Sequence, residues 1–212
     1  LLWGPRAQKS MGAMVILSMF HMLFLLLLWS FFQSMTTDPG QVPVFWGFHL
    51  GDPEDKRRRY CLMCNVFKPE RCHHCSACNR CVLNMDHHCP WINNCVGFWN
   101  RKYFMLLLIY VFINAYFLLF TMAYDVLLLA RNQFDTYYLG QGGEEVDELI
   151  QGLVIEVSFV LVILAAVMMS MFLKFHIRLV SENKTTIENL EQTGRLHPQQ
   201  NRQQEIKDYN VG

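Results

Sequence analysis

Three long stretches of the chain carry no charged residue, and they dominate its pattern of apolar and polar positions. Residues 10–37 and residues 103–124 contain no Asp, Glu, Lys or Arg, and residues 157–173 are also uncharged. A helix needs about 20 apolar residues to cross about 30 Å of hydrocarbon, a length that the third stretch reaches if Glu156 is tolerated. Taken alone, the third stretch would also fit a buried helix of a soluble protein. Together the three stretches predict membrane-spanning helices at residues 11–33, 103–125 and 149–173.

Lysine and arginine are distributed unevenly among the segments outside these helices. The segment 34–102 carries nine of them, whereas the segment 126–148 carries only Arg131 beside five acidic residues. Because cytoplasmic loops retain positive charge, we expect 34–102 and the tail 174–212 to face the cytosol, and 126–148 to be lumenal or extracellular. Three spans place the two ends on opposite sides, and the chain begins at Leu1 without Met, so we expect a further helix before it.

The composition agrees with a membrane protein and narrows the classes of function. Of 212 residues, 52% are hydrophobic and 17% are charged, against about 25% charged in typical soluble domains. Eighteen basic and eighteen acidic residues cancel, so the basic excess of a nucleic-acid-binding protein is missing. We therefore expect no nucleic-acid partner. The sequence shows no evident internal repeat.

Eight cysteines lie within the 35 residues from Cys61 to Cys95, and this clustering indicates metal binding. Disulfides are disfavoured because a cytosolic loop is kept reduced. Spacings such as Cys61-x-x-Cys64 let two sulfurs reach one zinc ion at about 2.3 Å, and bound zinc would supply the folding free energy that so few aliphatic residues cannot. Two four-ligand sites would leave four candidate ligands over. The histidine candidates are His73, His74, His87 and His88.

The surplus of candidate ligands calls for a functional explanation, and the sequence Asp86-His87-His88-Cys89-Pro90 offers one, because it also fits a reactive cysteine. Pro90 disfavours the helical conformation at Cys89, so this segment is expected to be extended. Side chains two positions apart then share a face, which places His87 beside Cys89 and directs His88 the other way. An imidazole beside a thiol activates the sulfur as a nucleophile, and Asp86 would orient that imidazole. The spacing alone leaves open that Cys89 or His87 is another zinc ligand.

Residues 61–104, with the sequence CLMCNVFKPERCHHCSACNRCVLNMDHHCPWINNCVGFWNRKYF, closely resemble the cysteine-rich domain of the DHHC protein S-acyltransferases, the palmitoyltransferases of eukaryotic membranes. Thr37-Asp38-Pro39-Gly40 looks like the DPG motif of that family, and Thr185-Thr186-Ile187-Glu188 looks like its TTxE motif. The resemblance implies an all-α polytopic membrane protein with a cytosolic, zinc-stapled, hairpin-rich cysteine-rich domain. The family usually has four membrane helices, against three here, and its aromatic C-terminal motif is only begun at Tyr209-Asn210-Val211-Gly212.

The resemblance also implies roles for individual residues. Cys89 would be the acylated nucleophile, His87 its base and Asp86 the group that orients His87. The protein would move a palmitoyl or other long-chain acyl group from acyl-CoA to membrane-proximal cysteines of substrate proteins. It would act in the Golgi, endoplasmic reticulum or plasma membrane, with its active site facing the cytosol. Two structural zinc ions would be held by Cys61, Cys64, His74 and Cys81, and by Cys75, Cys78, His88 and Cys95.

Some residues have alternative explanations, and so does the chain as a whole. Arg71, Arg80 and Lys102 are candidates for binding the phosphates of CoA, although contacts with anionic lipid would also explain them. Asn114 is a candidate for the far end of an acyl cavity between the spans, although an interhelical hydrogen bond is a simpler explanation. The rival functions are a non-enzymatic, membrane-anchored zinc module and a RING-like ubiquitin ligase, which also groups eight Cys/His ligands. Neither requires the sequence Asp-His-His-Cys-Pro.

Overall fold

Long helices and short β-hairpins follow one another in the protein, for which a computed structural model describes residues 5–43, 45–46, 59–139 and 146–194. The long helices in these residues are α1 (Pro5–Thr36), α2 (Arg101–Leu139) and α3 (Val146–Ser181). A short helix, α4 (Thr186–Gln192), follows α3. The strands are β1 (Tyr60–Cys61), β2 (Val66–Phe67), β3 (His73–Cys75), β4 (Arg80–Val82), β5 (His87–Cys89) and β6 (Asn94–Val96).

Each long helix contains a segment that is long and apolar enough to cross a membrane. These segments are Met11–Thr36, Arg101–Arg131 and Gly152–Ser181. They overlap the three predicted spans, and the helices extend beyond all three predictions. The cysteine-rich region forms hairpins, so the all-α description applies to the membrane helices alone. Of the predicted loop 126–148, residues 140–145 lie outside the described residues, as do 44 and 47–58 of the segment 34–102 and 195–212 of the tail.

The described residues form two compact units, and the first consists of helix segments only. This membrane-helix unit comprises the residues up to Leu28 and those of Leu108–Phe175, and the hairpin unit comprises those of Trp29–Leu107 and those from His176 onwards. In the membrane-helix unit, the hydroxyls of Tyr116 and Ser170 lie 3.0 Å apart, which joins α2 to α3. The side-chain N–H of Asn114 donates to the backbone oxygen of Leu23 on α1 at 3.3 Å. Such interhelical hydrogen bonds are typical of membrane helices.

In the described part of the hairpin unit, three antiparallel hairpins repeat along the chain. Strand β1 pairs with β2, β3 with β4 and β5 with β6, and their turns begin at Cys61, Cys75 and Cys89, fourteen residues apart. Near the end of each turn stands an asparagine with φ of 54°, 50° or 47°, a left-handed conformation that asparagine tolerates well. These asparagines are Asn65, Asn79 and Asn93. The expectation of no internal repeat is therefore wrong. The repeat is not evident in the sequence because the hairpins share only the residues that shape the turns or could bind metal.

The last turn of α1 is tied to the hairpins through backbone groups. The carbonyls at the end of a helix have no partner within the helix. The side-chain N–H of Asn94 donates to two such carbonyls, those of Ser34 and Met35, at 3.3 and 3.0 Å. A Cβ atom at Gly97 would lie 2.7 Å from the backbone oxygen of Pro39, so the close approach of the DPG-like segment requires glycine there.

Candidate metal centres and active site

Two groups of cysteine and histidine side chains converge in the hairpin unit, and each offers three sulfurs and one imidazole. The first metal group consists of Cys61, Cys64, His74 and Cys81, and the second metal group of Cys75, Cys78, His88 and Cys95. Within each group, the potential ligand atoms all lie within 4.8 Å of one another. The structure thus brings together the two ligand sets that the family resemblance implied, and neither group includes Cys89 or His87.

The distances within these groups fit tetrahedral zinc. With Zn–S of about 2.3 Å and Zn–N of about 2.0 Å, a tetrahedron has S···N edges of about 3.5 Å and S···S edges of about 3.8 Å. Nδ1 of His88 lies 3.4 Å from Sγ of Cys78 and 3.7 Å from Sγ of both Cys75 and Cys95. Nδ1 of His74 lies 3.6 and 3.2 Å from the two sulfurs of the first C-x-x-C. Donor type and spacing therefore suit two closed structural metal sites.

Each metal group combines the turn of one hairpin with a cross-strand pair of the next. The C-x-x-C of the β1–β2 turn meets His74 and Cys81, which pair across β3 and β4. The C-x-x-C of the β3–β4 turn meets His88 and Cys95, which pair across β5 and β6. Strands of two or three residues are too short to be stable as isolated hairpins. A metal ion in each group would therefore join the three hairpins into one unit.

A cysteine outside both groups lies beside a histidine and an aspartate. Cys89 ends strand β5 with 6% of its surface exposed, and its thiol shares a hydrogen bond with the ring of His87. Nδ1 of His87 lies 2.7 Å from Oδ2 of Asp86. The extended backbone of β5 accounts for this, because alternate residues face the same side and His88 turns to the second metal group. The structure places the three residues predicted for the nucleophile, base and orienting carboxylate in contact.

Asp86 is almost fully buried and interacts with three segments of the chain. Besides the contact with His87, its Oδ1 accepts the backbone N–H of Thr186 at 3.0 Å and its Oδ2 accepts the hydroxyl of Thr186 at 2.7 Å. Nη2 of Arg101 lies 3.5 Å from Oδ1. Burial would raise the pKa of this carboxyl, but the hydrogen bonds from His87 and Thr186 lower the pKa of Asp86 to about 2. The carboxylate is therefore ionised and fixed in position.

The imidazole of His87 packs against two other rings, which also contact each other. Its centroid lies 5.2 Å from that of Phe104 and 5.9 Å from that of His176. Burial would lower the pKa of the imidazole, but the hydrogen bonds with Asp86 and Cys89 raise the pKa of His87 to about 9. The ring is thus held in one orientation by Asp86 and directed at the sulfur.

The sulfur of Cys89 has three hydrogen-bonding neighbours. Burial would raise the pKa of the Cys89 thiol, but the hydrogen bond with His87 and those from the backbone N–H groups of Ile92 and Trp91 lower it. Hydrogen bonds to the charged form favour that form. Since the thiolate is the nucleophilic form of cysteine, this arrangement suits covalent chemistry at Cys89.

Sequence comparison agrees with this geometry. The profile of the family described as DHHC palmitoyltransferase matches residues 54–193. The chain belongs to this family. Probable protein S-acyltransferase 14 of Arabidopsis thaliana is 38% identical over 215 residues, which cover 89% of this chain and 66% of the relative. Palmitoyltransferase ZDHHC15A of Danio rerio is 33% identical over 203 residues, which cover 82% of this chain and 58% of the relative.

A fungal relative matches a shorter region. Palmitoyltransferase PFA3 of Kluyveromyces lactis is 40% identical over 133 residues, which cover 63% of this chain and 38% of that protein. The chain thus spans less than two thirds of the length of each of these three relatives.

Arg71, a candidate for binding CoA phosphates, is engaged with the C-terminal part of the hairpin unit. Its Nε and Nη2 each donate to the carboxylate of Glu188 at 2.7 Å, and Nη2 also donates to the backbone oxygen of Asn183 at 2.8 Å. Glu188 in turn accepts the backbone N–H of Thr185 at 2.8 Å and so caps α4. The TTxE-like segment is therefore attached to the cysteine-rich region by a bidentate ion pair as well as by Asp86.

The other candidates for substrate contacts are spread over both units. Nη1 of Arg80 lies 2.7 Å from Oδ2 of Asp38, and Nζ of Lys102 lies 5.1 Å from the centroid of the Tyr103 ring. Asn114 belongs to the membrane-helix unit, where its side-chain N–H bonds α1 as described above. Its position at the end of an acyl cavity stays a prediction, as do the contacts of Arg80 and Lys102 with CoA.

Several residues around the site had no predicted role. Thr186 belongs to the TTxE-like sequence, which predicts no contact for it, and its hydrogen bond to Asp86 spans 100 residues. The local sequence does not predict a role in the site for three other residues, because each lies in a long helix whose pattern the membrane spans alone explain. These residues are Arg101, Phe104 and His176. A buried carboxylate such as that of Asp86 needs several hydrogen-bond donors, and this requirement indicates that a further segment, here the TTxE-like segment, must supply some of them.

Proposed function

We propose that the protein is an S-acyltransferase that moves a long-chain acyl group from acyl-CoA to cysteines of substrate proteins through an acyl-Cys89 intermediate. The observation that carries this proposal is the contact of Cys89 with His87 and of His87 with Asp86, outside both metal groups. Relatives named as S-acyltransferases and palmitoyltransferases support it.

In the first step, the thiolate of Cys89 attacks the carbonyl carbon of the acyl-CoA thioester. A new C–S bond forms at Cys89, the bond to the sulfur of CoA breaks, and the imidazolium of His87 donates its proton to the departing CoA thiolate. Asp86 holds the ring through Nδ1, which leaves Nε2 as the nitrogen that exchanges the proton. One thioester replaces another, so the step needs no further source of free energy.

In the second step, a cysteine of the substrate protein enters the position that CoA has left. His87, now neutral, removes the proton of the incoming thiol, whose sulfur attacks the acyl carbon. The bond to Cys89 breaks, and the sulfur of Cys89 leaves as a thiolate beside the imidazolium of His87. The site has then returned to its starting state, with Asp86 ionised throughout.

Two zinc ions, one in each metal group, complete the proposal. Fully ligated zinc supplies folding free energy, with apparent values of about 10–16 kcal/mol per site in zinc-finger peptides. The cross-strand pair of His88 and Cys95 would be fixed by the second ion, and His87 and Cys89 flank His88 on the same strand. Metal bound to His88 and Cys95 would therefore hold strand β5 in the extended form on which the His87–Cys89 contact depends.

The membrane accounts for the substrate class. Burying a methylene group of an acyl chain gains about 0.8 kcal/mol, so exposing a palmitoyl chain to water costs on the order of 10 kcal/mol. We infer that the acyl chain stays within the membrane region, and that the acceptors are membrane-proximal cysteines. The basic segment 34–102 favours a cytosolic site in a multi-pass protein of the Golgi, endoplasmic reticulum or plasma membrane.

The test compares Cys89→Ser with Cys72→Ser, a second buried cysteine outside both metal groups. Purified protein in detergent is incubated with palmitoyl-CoA, and intact mass is measured before and after hydroxylamine, with zinc content measured in parallel. We expect a hydroxylamine-sensitive palmitoyl adduct on the parent and on Cys72→Ser, none on Cys89→Ser, and two zinc ions in all three. No adduct on the parent would favour a non-enzymatic zinc module or a RING-like ligase, and zinc loss in Cys89→Ser would make Cys89 a ligand.

A further inference from the structure

Cys89 occupies the position that a metal ligand occupies in each of the two preceding hairpins. Cys61, Cys75 and Cys89 stand fourteen residues apart, each at the end of the first strand of its hairpin, and each is buried with 4–6% of its surface exposed. The left-handed asparagine follows four residues later in all three turns. The three turns therefore share one backbone design.

The similarity extends to the hydrogen bonds around the sulfur. In the β3–β4 turn, Sγ of Cys75 accepts the backbone N–H groups of Cys78 and Ala77. In the β5–β6 turn, Sγ of Cys89 accepts the backbone N–H groups at the equivalent positions, Ile92 and Trp91. Amides directed at a sulfur stabilise a metal-bound thiolate and a free thiolate alike. Strand pairing and turn amides thus do not separate a ligand from a nucleophile.

Cys89 differs from Cys61 and Cys75 of the metal groups in the number of further metal-ligand side chains around it. The position that holds the second thiol, Cys64 or Cys78, holds Ile92 in the third turn, and Ile92 is 2% exposed. The other two ligands of each metal group come from the next hairpin, but no hairpin follows β6 in the described residues, because α2 begins at Arg101. Among the described residues, Cys89 belongs to neither metal group, and the side chain of ligand type that contacts its sulfur is the imidazole of His87.

We propose that the β5–β6 hairpin is a metal knuckle in which Ile92 replaces the second thiol, and that Ile92 keeps metal away from Cys89. The role of Cys89 as nucleophile rests on the proposed function, whereas the exclusion of metal does not. Three protein ligands and a water molecule suffice for zinc in catalytic sites. A thiol at position 92 would complete such a set with Cys89 and His87, whereas isoleucine offers no donor atom. A zinc ion bound there would occupy the sulfur that attacks acyl-CoA.

The test is Ile92→Cys against Ile92→Ser, which has nearly the same size and lacks the sulfur. The full chain is purified in detergent with its structural zinc, and alkylation of Cys89 by iodoacetamide is followed by peptide mass with and without added micromolar zinc. We expect added zinc to slow the alkylation of Cys89 in Ile92→Cys by about tenfold or more. The free thiolate is the form that reacts with iodoacetamide, and a zinc ion would occupy it. No such zinc dependence is expected in the parent or in Ile92→Ser. Metal content should rise from two to three ions per chain in Ile92→Cys alone.

Cys89 reacting at the same rate with and without zinc in Ile92→Cys, at two ions per chain, would overturn the proposal. Since the smaller side chain leaves a cavity, Ile92→His is a second variant that keeps bulk and supplies an imidazole donor, and the same zinc protection is expected of it. Retention of the two structural ions shows that each variant is folded. The alkylation assay uses no acyl-CoA, so failure of the proposed acyl transfer would appear as an unlabelled parent and leave this result standing.

Discussion

Cys75 and Cys89 lie at equivalent positions of successive hairpins, yet they have different chemical surroundings. Around Cys75 stand two further thiols and the imidazole of His88. Around Cys89 stands His87, whose ring is held by a buried carboxylate. Equivalent backbone amides face both sulfurs, so the difference comes from side chains. Cys75 is joined by Cys78 of its own turn and by His88 and Cys95 of the next hairpin, whereas the turn of Cys89 carries Ile92 at the position of Cys78.

This difference predicts that Cys75 contributes to the free energy of unfolding and Cys89 to catalytic activity. A metal ion in the second metal group would stabilise a fold whose hairpins bury few aliphatic side chains. The contacts of Asp86 and His87 instead bury charged groups, which is costly unless hydrogen bonds compensate for the lost water. Thr186 and His87 supply that compensation to Asp86. We therefore expect changes at Cys75 to reduce stability, and changes near Cys89 to reduce activity.

The largest effect is expected from Cys75→Ser compared with Cys89→Ser. Serine is a poor ligand for zinc, so Cys75→Ser should lose one ion and several kcal/mol of stability, and the hairpin unit should fail to fold at physiological temperature. Cys89→Ser should keep both ions and unfold within about 1 kcal/mol of the parent. Zinc content and thermal unfolding in detergent measure both. Equal losses in the two variants would remove the distinction between ligand and nucleophile.

Asp86→Asn should produce the next largest effect, a fall in the rate of acylation of Cys89. An amide cannot fix the tautomer of His87 or stabilise its imidazolium, so acylation of Cys89 should slow by about 10²- to 10⁴-fold. Asp38→Asn is the matched control, since Asp38 is a carboxylate of the same unit that pairs with Arg80 and has no contact with His87. Single-turnover labelling with palmitoyl-CoA measures the rate. Similar rates in Asp86→Asn and Asp38→Asn would contradict the role assigned to Asp86.

The features that the sequence predicts well are those that depend on local spacing. The three membrane helices follow from uncharged length, because a bilayer imposes a minimum number of apolar residues. The contact of His87 with Cys89 follows from the extended backbone before Pro90. The ligand sets came from the family resemblance, because twelve candidate side chains can be paired in many ways and spacing does not choose among them.

The features that the sequence does not predict join distant segments. Arg71 was a candidate for CoA, but its guanidinium forms a bidentate pair with Glu188, 117 residues away. The bond of Thr186 to Asp86 is equally remote. Neither contact produces a periodic pattern in the sequence. A single arginine or threonine does not indicate which distant residue it will contact. The fourteen-residue repeat is hard to predict from the sequence, because its hairpins share mainly turn and ligand residues.

Thr186→Val tests whether α4 positions the carboxylate. Loss of the 2.7 Å hydrogen bond to Oδ2 leaves Asp86 with fewer donors, so the acylation rate should fall by about tenfold, as the loss of one hydrogen bond to a charged group suggests. Thr186→Ser retains the hydroxyl and should restore most of the rate. The KM for palmitoyl-CoA should not change, because Thr186 acts through Asp86. A fall in stability alone, with the acylation rate intact, would make Thr186 merely structural.

Arg71→Ala and Glu188→Gln distinguish an ion pair from a phosphate contact. If the pair only attaches α4, each variant should lose about 1–2 kcal/mol of stability, and the double variant should lose little more than either one. The KM for palmitoyl-CoA should then stay the same in both. A KM raised by Arg71→Ala but not by Glu188→Gln would instead assign Arg71 to the phosphates of CoA. Thermal unfolding and initial rates at varied palmitoyl-CoA concentration supply the two measurements.

The smallest effect is expected at Arg80, whose partner Asp38 is half exposed. Ion pairs of this kind contribute about 0–1 kcal/mol, and Asp38 keeps its 2.7 Å hydrogen bond from the backbone N–H of Gly40 when Arg80 is removed. Arg80→Gln should therefore shift thermal unfolding very little and leave the KM for palmitoyl-CoA unchanged at low and high salt. A KM that rises in Arg80→Gln and loses its salt dependence would show a phosphate contact at Arg80.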